Sequence, residues 1–537
     1  MKANGDEPTA PDTPGPVPAG DQDSLARNGV FEEPPRSTVR LREPAWAWVR
    51  QEGGTNCESG SQVEVDSDGC VYVLGGFERP GTNAPAGSSE WPYFLARYDS
   101  RGNLLWVRSS TGSGRVAPWR FHLAAAGNAY LLGTFNGEVD FDGNRISSTR
   151  HAAFIMKYDQ RGRALWATQA DVLEAEDSVL ASTVDRQGNV YVAGDFSRAI
   201  RIGHHILSPA GGNSDVLVAK FNHQGEVLWA RQSGTAEPDW PHALAVDSRG
   251  NVYLAGTIQT WEARIPGGAF DFIPHTFLTR QDAHGNAAWT ICSEGGQGDS
   301  HGYAVATDAA GNAFLAGSFS GGFSLSGQNL ARETGEGSYI AKIRPTGELL
   351  WLRSAGATES DHVAGLAVDM NGSLYATGDF HGNATFGHIR LNSDLSFEAF
   401  VVKYGVAGDP LWARQMRSQY FSQALQLQLD GHARVYLFGE GVGMVSADAE
   451  VVQPTHDGYP HLFMVSFDAD GYPNWLQNLD GDTLRMWSTF AVDHAGNCYL
   501  TGSFDDTLVF GNQTLISRGS RDFFLAKFAS GVNTPRN

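Results

Sequence analysis

The sequence predicts an all-β fold, an eight-bladed β-propeller of four-stranded antiparallel blades, on three observations. A hairpin phrase built on Asp-x-x-Gly-Asn recurs along the chain, from VDSDGCVYVLGGF at Val65 to VDHAGNCYLTGSF at Val492. A second phrase, of the kind FLARYDSRGNLLWVR, alternates with it, and its tryptophans (Trp48, Trp106, Trp166, Trp229, Trp289, Trp351, Trp412 and Trp475) fall 58 to 63 residues apart. No segment carries the apolar period of a long amphipathic helix. A period of about sixty residues, kept across the chain, excludes the three unrelated domains that 537 residues could otherwise hold.

Residues 1–39 are dense in Pro, Asp, Glu and Gly and poor in large apolar side chains, so they read as a disordered tether. They contain no apolar run of the kind a signal peptide needs. Residues 40–531 are the propeller and 532–537 a short C-terminal tail. Within each repeat, ALAVDSRGNVYLAG reads as a hairpin: apolar residues alternate on both sides of a turn that Asp247 closes by accepting backbone N–H groups and Gly250 by a positive φ. The second phrase is a second hairpin, so one repeat makes a four-stranded blade. A glycine ends each second strand (Gly75, Gly133, Gly194, Gly256, Gly317, Gly378, Gly439 and Gly502), where close packing leaves little room. The two ends complement each other. PAWAWVRQ around Trp48 is a fourth strand with no third strand before it, and FFLAKFASG at 523–531 is a third strand with no fourth after it. An N-terminal strand at about 44–51 therefore completes the last blade and leaves no open sheet edge.

Composition narrows the function classes. The net charge is −21, with pI near 5.1, which argues against a nucleic-acid partner or a polybasic membrane surface. The turn aspartates and the tether account for part of that excess. No apolar run is long enough for a membrane-spanning helix, and four cysteines do not make a disulfide scaffold. Cys57 and Cys70 share a blade, which leaves a pairing open in an oxidising compartment.

The alternation of D-x-x-G-N-x-Y-x-x-G with F-x-A-K-Y-D-x-x-G-x-x-x-W resembles the bacterial beta-propeller repeat family of SBBP type, over roughly residues 44–531. The seventh unit, LDGHARVYLFGEG from Leu429, has lost its Gly-Asn. The resemblance implies the fold and an exported, periplasmic or surface-attached bacterial protein, with a cytoplasmic one as the alternative. An N-terminal lipid anchor is the one membrane attachment this leaves open, and no catalytic residue is carried over. The second hairpin is also similar to the tryptophan repeat of eight-bladed quinoprotein dehydrogenases and of outer-membrane assembly lipoproteins. The adjacent cysteine pair such dehydrogenases place over their cofactor is absent from this sequence.

Candidate sites stand out where the repeat does not demand a residue. The ladder tryptophans recur and read as packing residues. The third-strand cations Arg97, Lys157, Lys220, Arg280, Lys342, Lys403 and Lys527 read as a repeated ion pair or stacking contact. The turn aspartates lack the distal Glu and the alternating oxygen ligands of a calcium loop, and the histidines show no metal spacing. No cofactor is expected. Trp119, Trp240 and Trp487 lie five to seven residues before their turn positions, at the start of the first and innermost strand. Asp177, Asp239, His301, Asp361 and His362 occupy the same region in their blades. These eight residues are expected to ring one mouth of the channel, where aromatic faces beside carboxylates and imidazoles suit a protein or glycan partner. The variable loops between second and third strands, including those at Trp91 and Trp261, are expected to extend that surface. The function that follows is a non-enzymatic binding or scaffold module. The alternative is a polysaccharide hydrolase or lyase using Asp177, Asp239 and Asp361, with a quinoprotein-like dehydrogenase third. Oligomeric state is not legible.

Overall fold

A computed structural model describes residues 44–53, 57–77, 93–170, 178–210, 213–263, 270–294, 298–354, 360–448, 450–452, 460–484 and 489–531. All of these lie in the compact unit Glu43–Asn537. The expected tether at 1–39, the tail at 532–537, and Trp91, Asp177 and Trp487 fall outside the described residues.

Among the described residues the fold is all-β, with no helix and with antiparallel strand pairing throughout the sheets. One unit shows the plan. Asp239–Val246, Val252–Ala263, Phe270–Gln281 and Ala287–Glu294 pair in sequence order. The same order recurs in Glu58–Val65 to Leu104–Arg108, in Arg115–Leu123 to Ala164–Ala170, and onward along the chain. At the far end, Thr489–Val492, Cys498–Phe510 and Asp522–Ala529 supply three strands. The fourth is Ala45–Glu52, with Val49 opposite Ala526, as the unmatched sequence ends require.

Local chemistry explains the turns. Asp247 Oδ1 accepts from the N–H groups of Arg249 and Asn251 at 2.9 Å each, and its Oδ2 accepts from Asn251 Nδ2 at 2.7 Å. Gly250 sits at φ +80°, where a side chain would be strained. Second strands are buried on both faces, Val190–Phe196 completely, because each sheet is covered by a neighbour on either side. The core therefore lies between units. Tyr191, Val218 and Trp229 of one unit pack with Val252, Leu254 and Phe277 of the next. Trp48, Val63, Val71, Tyr499 and Phe523 form the same kind of cluster between the first unit and the last.

The ladder tryptophans fasten this seam. Trp229 Nε1 donates to the Ala283 carbonyl in the following unit at 3.1 Å, over Gly285, whose place a β-carbon would fill 2.6 Å from the indole. Trp48, Trp106, Trp166, Trp289, Trp351 and Trp412 repeat that bond. Trp475 Nε1 has no partner, because the final unit takes its fourth strand from residues 45–52 and so lacks the receiving turn. Its ring packs on Phe528 instead, 4.9 Å between centroids. Each third-strand cation lies over a second-strand ring, as Lys220 does over Tyr191 at 4.9 Å. Arg97 and Lys342 also pair with Asp66 and Asp308. In the seventh unit Ser466 replaces the cation, and Arg434 supplies it to Asp430 from the turn itself.

Some of the connections between second and third strands are paired within the fold. In several units they are ribbons whose flank pairs with the fourth strand of the preceding unit. Ser293 faces Leu325, Arg417 faces Ser446, and Asp480 faces Val509. They cover part of those three outer sheet edges, which would otherwise be templates for unwanted pairing. The segment at Trp261 is likewise paired, opposite Phe272.

Candidate functional site

First strands lie beside the first strands of the units on either side, so they form the innermost layer. Several carry a register shift at one fixed place, five residues before the turn position: between Pro118 and Arg120, Pro241 and Ala243, Gly302 and Ala304, and Val363 and Gly365. A bulge re-aims the extra side chain, and in two consecutive units those residues are His242 and Tyr303, with Trp119 at the same place two units before His242.

One continuous group results. His242 Nε2 and His301 Nδ1 lie 3.0 and 3.1 Å from the Thr257 hydroxyl. The His301 and Tyr303 rings stack at 5.6 Å, tilted by only 10°. Tyr303 also meets His242 at 5.3 Å and His362 at 6.3 Å. Behind His362, Asp379 Oδ1 lies 3.9 Å from Nδ1 and is buried without a hydrogen-bond partner. Tyr303 is 38% exposed and the His362 side chain 50% exposed, so the group is open on one side. Burial lowers the pKa of His242 and of His301, favouring neutral imidazoles. His362 is shifted upward by the neighbouring Asp379 carboxylate, against burial.

The structure therefore brings His301 and His362 together, with the half-buried Trp240 on the neighbouring strand opposite Thr257. The other predicted residues separate from them. Trp119, partly buried, packs into the apolar seam with the next unit, beside Val192, Ile200 and Ile202. Asp239 is fully buried and accepts from the Thr235 N–H at 2.6 Å. Asp361 is buried and accepts from the N–H of Ser338 in the preceding unit. Ser300 and Ser422 hold the matching places and accept from Thr276 and Ala399 N–H groups at 3.0 Å. Asp361 therefore ties one unit to the next and does not line an open mouth. Sequence reasoning missed His242 and Tyr303, although each stands at the same distance from its turn as Trp119.

A second polar seam lies on the innermost layer. Gln62 both donates to the Phe121 carbonyl at 2.8 Å and accepts from its N–H at 2.9 Å, and Glu64 accepts from Leu123 N–H at 2.9 Å. Gln426 and Gln428 bind Phe490 and Val492 in the same way six units on. Glu64 thus stands where its counterpart is Gln428. Burial pushes the Glu64 carboxyl from 4.5 up to about 7, eased by the Leu123 bond and Arg120, while burial holds His122, 3.9 Å away, down at about 4. A carboxyl that keeps its proton longer when folded loses stability as pH rises from its unfolded to its folded value. Wild-type stability is therefore expected to fall between pH 4.5 and 7 at this site. Glu64→Gln is expected to melt higher than wild type at pH 8 and equally at pH 4, read from melting curves at the two pH values.

Among the described residues, no group of three or more His, Cys, Asp or Glu side chains is placed to hold a metal ion. The four cysteines are free thiols, so Cys57 and Cys70 are not joined, and Cys57 Sγ instead contacts the Ser520 hydroxyl. The Asp215 and Asp239 carboxylates flank Gly234, where a β-carbon would sit 2.6 Å from Asp215 Oδ1 and 2.9 Å from Asp239 Oδ2. Burial first, and Asp215 in addition, push Asp239 up to about 6.

These features define an all-β repeat protein with a polar, partly aromatic innermost layer. Residues 228–260, spanning a ladder tryptophan and the hairpin that carries His242, match the SBBP family model, described as a beta-propeller repeat, and the chain carries that repeat. An uncharacterized WD repeat-containing protein, L264, of Acanthamoeba polyphaga mimivirus is 20% identical over 74% of this chain and 36% of its own length. The regulatory protein FlaEY of Caulobacter vibrioides is 25% identical over 37% of this chain and 22% of its own length. The chain thus spans about a third or less of the length of these relatives. Among solved structures, quinohemoprotein alcohol dehydrogenase from Comamonas testosteroni aligns over 92% of this chain and 78% of its own, with TM-score 0.43 and 11% identity. The Neurospora crassa Pan2 WD40 domain aligns over 79% of this chain and 90% of its own, with TM-score 0.38 and 9% identity.

Proposed function

We propose that the chain is a closed ring of eight four-stranded blades that binds a protein partner through the face formed by Trp240, His242, His301, Tyr303 and His362, with no catalytic step. Pairing of Ala45–Glu52 with Asp522–Ala529, and the core shared by Trp48, Val63, Tyr499 and Phe523, support closure. One observation carries the function: a half-open Tyr303 ring stacked on His301 and adjoining His362, side chains from two adjacent units that leave one side of the group open. Stacked, partly desolvated rings beside a few polar groups make a binding anchor. The name of the mimiviral relative, a WD repeat-containing protein, agrees with a repeat scaffold. The polysaccharide hydrolase or lyase is not favoured, because Asp239 and Asp361 are buried and their oxygens already accept backbone N–H groups. An exported or surface location, with or without an N-terminal lipid, belongs to the same proposal. Mass spectrometry of the native N-terminus in fractionated cells tests it, and an unmodified Met1 in the cytosol would contradict it.

The binding test pans a random peptide library displayed on phage, with a glycan array alongside. Peptides whose binding falls at least tenfold on Tyr303→Leu, and not on the distant Leu105→Ser, support the reading. Ligands indifferent to Tyr303→Leu and His362→Ala, or glycans alone, contradict it.

A further inference from the structure

The partner chemistry of this face follows from what surrounds it. We infer that the Tyr303–His301–His362 face docks a basic segment of a partner protein, seating a lysine or arginine side chain on the stacked rings; this rests on the proposed binding role of the same face. Three independent features point that way. The first is geometry. Tyr303 presents a 38% exposed ring, stacked at 5.6 Å on His301 and 6.3 Å from His362, and the electron-rich face of a phenol attracts a cation within about 6 Å.

The second is charge. The charges that bear on these rings are carboxylates: Asp299 and Glu336 at His301, Glu336 at Tyr303, and Asp379, Glu336 and Asp361 at His362. Glu336 is exposed on the strand Gln328–Ile343, which runs beside the strand opposite His301. Burial lowers the pKa of His242 and of His301, which disfavours an opposing positive charge on these two rings. The third is an unmet acceptor. Asp379 is 7% exposed, and its Oδ1 has no hydrogen-bond partner although it lies 3.9 Å from His362. A buried carboxylate oxygen without a donor is costly, and a donor arriving beside His362 relieves it. Elsewhere the scaffold saturates its cation sites: each third-strand Lys or Arg already covers a ring of its own unit. At Tyr303 the ring is present and the covering cation is not supplied by that arrangement. A cationic ligand would complete here what the chain completes for itself at the other rings.

The test uses three capped ten-residue peptides of alternating residues, Lys–Gly, Gln–Gly and Glu–Gly, each with a fluorescent label, titrated against the full chain by anisotropy. The Lys–Gly peptide is expected to bind, the Gln–Gly peptide at least tenfold more weakly, and the Glu–Gly peptide not measurably. Tyr303→Leu and Glu336→Gln should each weaken Lys–Gly binding by about fivefold, the size of one cation–ring or exposed charge contact. Glu138→Gln, an exposed acid on a distant ribbon, controls for general attraction to a chain of net charge −21 and should leave binding unchanged. Equal binding of Lys–Gly and Gln–Gly overturns the inference. So does a loss on Glu138→Gln as large as that on Glu336→Gln. If library peptides depend on Tyr303 yet carry no Lys or Arg, the docking face stands and the cationic specificity falls. If no ligand depends on Tyr303, both fall.

Discussion

A chain that begins at Gly53, without the strand Ala45–Glu52, is expected to lose its single cooperative unfolding transition and to associate in solution. The removed strand pairs with Asp522–Ala529 from Ala45 opposite Ala529 to Glu52 opposite Phe523, with one bulge between Trp46 and Trp48. Its departure exposes a long apolar edge, Phe523, Phe524, Leu525, Ala526 and Phe528, all essentially buried in the intact chain. An unpaired edge of that kind is an aggregation template. The loss also strips Trp48 from the seam with the first unit and Val49 from the seam with the seventh. Removing one buried tryptophan costs roughly 3–5 kcal/mol, and the lost strand pairing adds to that. Trp48→Ala in the full chain should therefore reproduce part of the destabilisation without exposing the edge. A synthetic peptide of residues 43–53 added to the shortened chain should restore the transition in a concentration-dependent way. Unchanged unfolding of the shortened chain would mean that the ends do not hold the ring.

The second large effect concerns the buried carboxylates at Gly234. Asp239 is fully buried, and burial, with the Asp215 charge added, raises its pKa from 3.8 to about 6. The folded chain then binds a proton that the unfolded chain has released, so stability is highest below pH 4 and declines as pH rises toward 6. Above that, ionised Asp239 remains a penalty. Asp239→Asn keeps an acceptor for the Thr235 N–H and removes the titration. Urea unfolding at pH 8 is expected to give a variant more stable than wild type by roughly 3 kcal/mol, the scale of a two-unit shift, and the two proteins should converge near pH 4. A variant less stable at both pH values would mean that the Asp239 charge is needed by the fold.

The repeat, its hairpins and the matching of the chain ends were legible because they rest on local chemistry. Asp247 and Gly250 make their turn from residues three apart, and a tryptophan at fixed spacing implies a seam at fixed spacing. The site was legible only in part. Strand alternation assigns faces by counting in twos, and the bulge before Ala304 breaks that count, which hides Tyr303 and His242 among scaffold residues. Asp361 looked like a candidate acid because sequence does not reveal that Ser300 and Ser422 occupy its place and accept the same kind of N–H bond. Trp119 shares the bulge position, yet its destination is set by Ile200 and Ile202 of another unit, a contact no local pattern encodes. The ribbons between second and third strands looked variable because their partner is the preceding unit's fourth strand, more than 20 residues away in sequence.

In the proposed binding mode one face, assembled from consecutive innermost strands, holds the partner. Of the sixteen histidines, His242, His301 and His362 belong to that face, whereas His204 and His205 share a remote ribbon and His432 and His494 meet at the turns of the last two units. Carbon-13 labelling of the histidine rings lets each region report separately in a single NMR titration with the Lys–Gly peptide. Saturable shifts confined to His242, His301 and His362, and absent in Tyr303→Leu, are the predicted result. Shifts at His432 and His494, or no saturable shift at all, would contradict it.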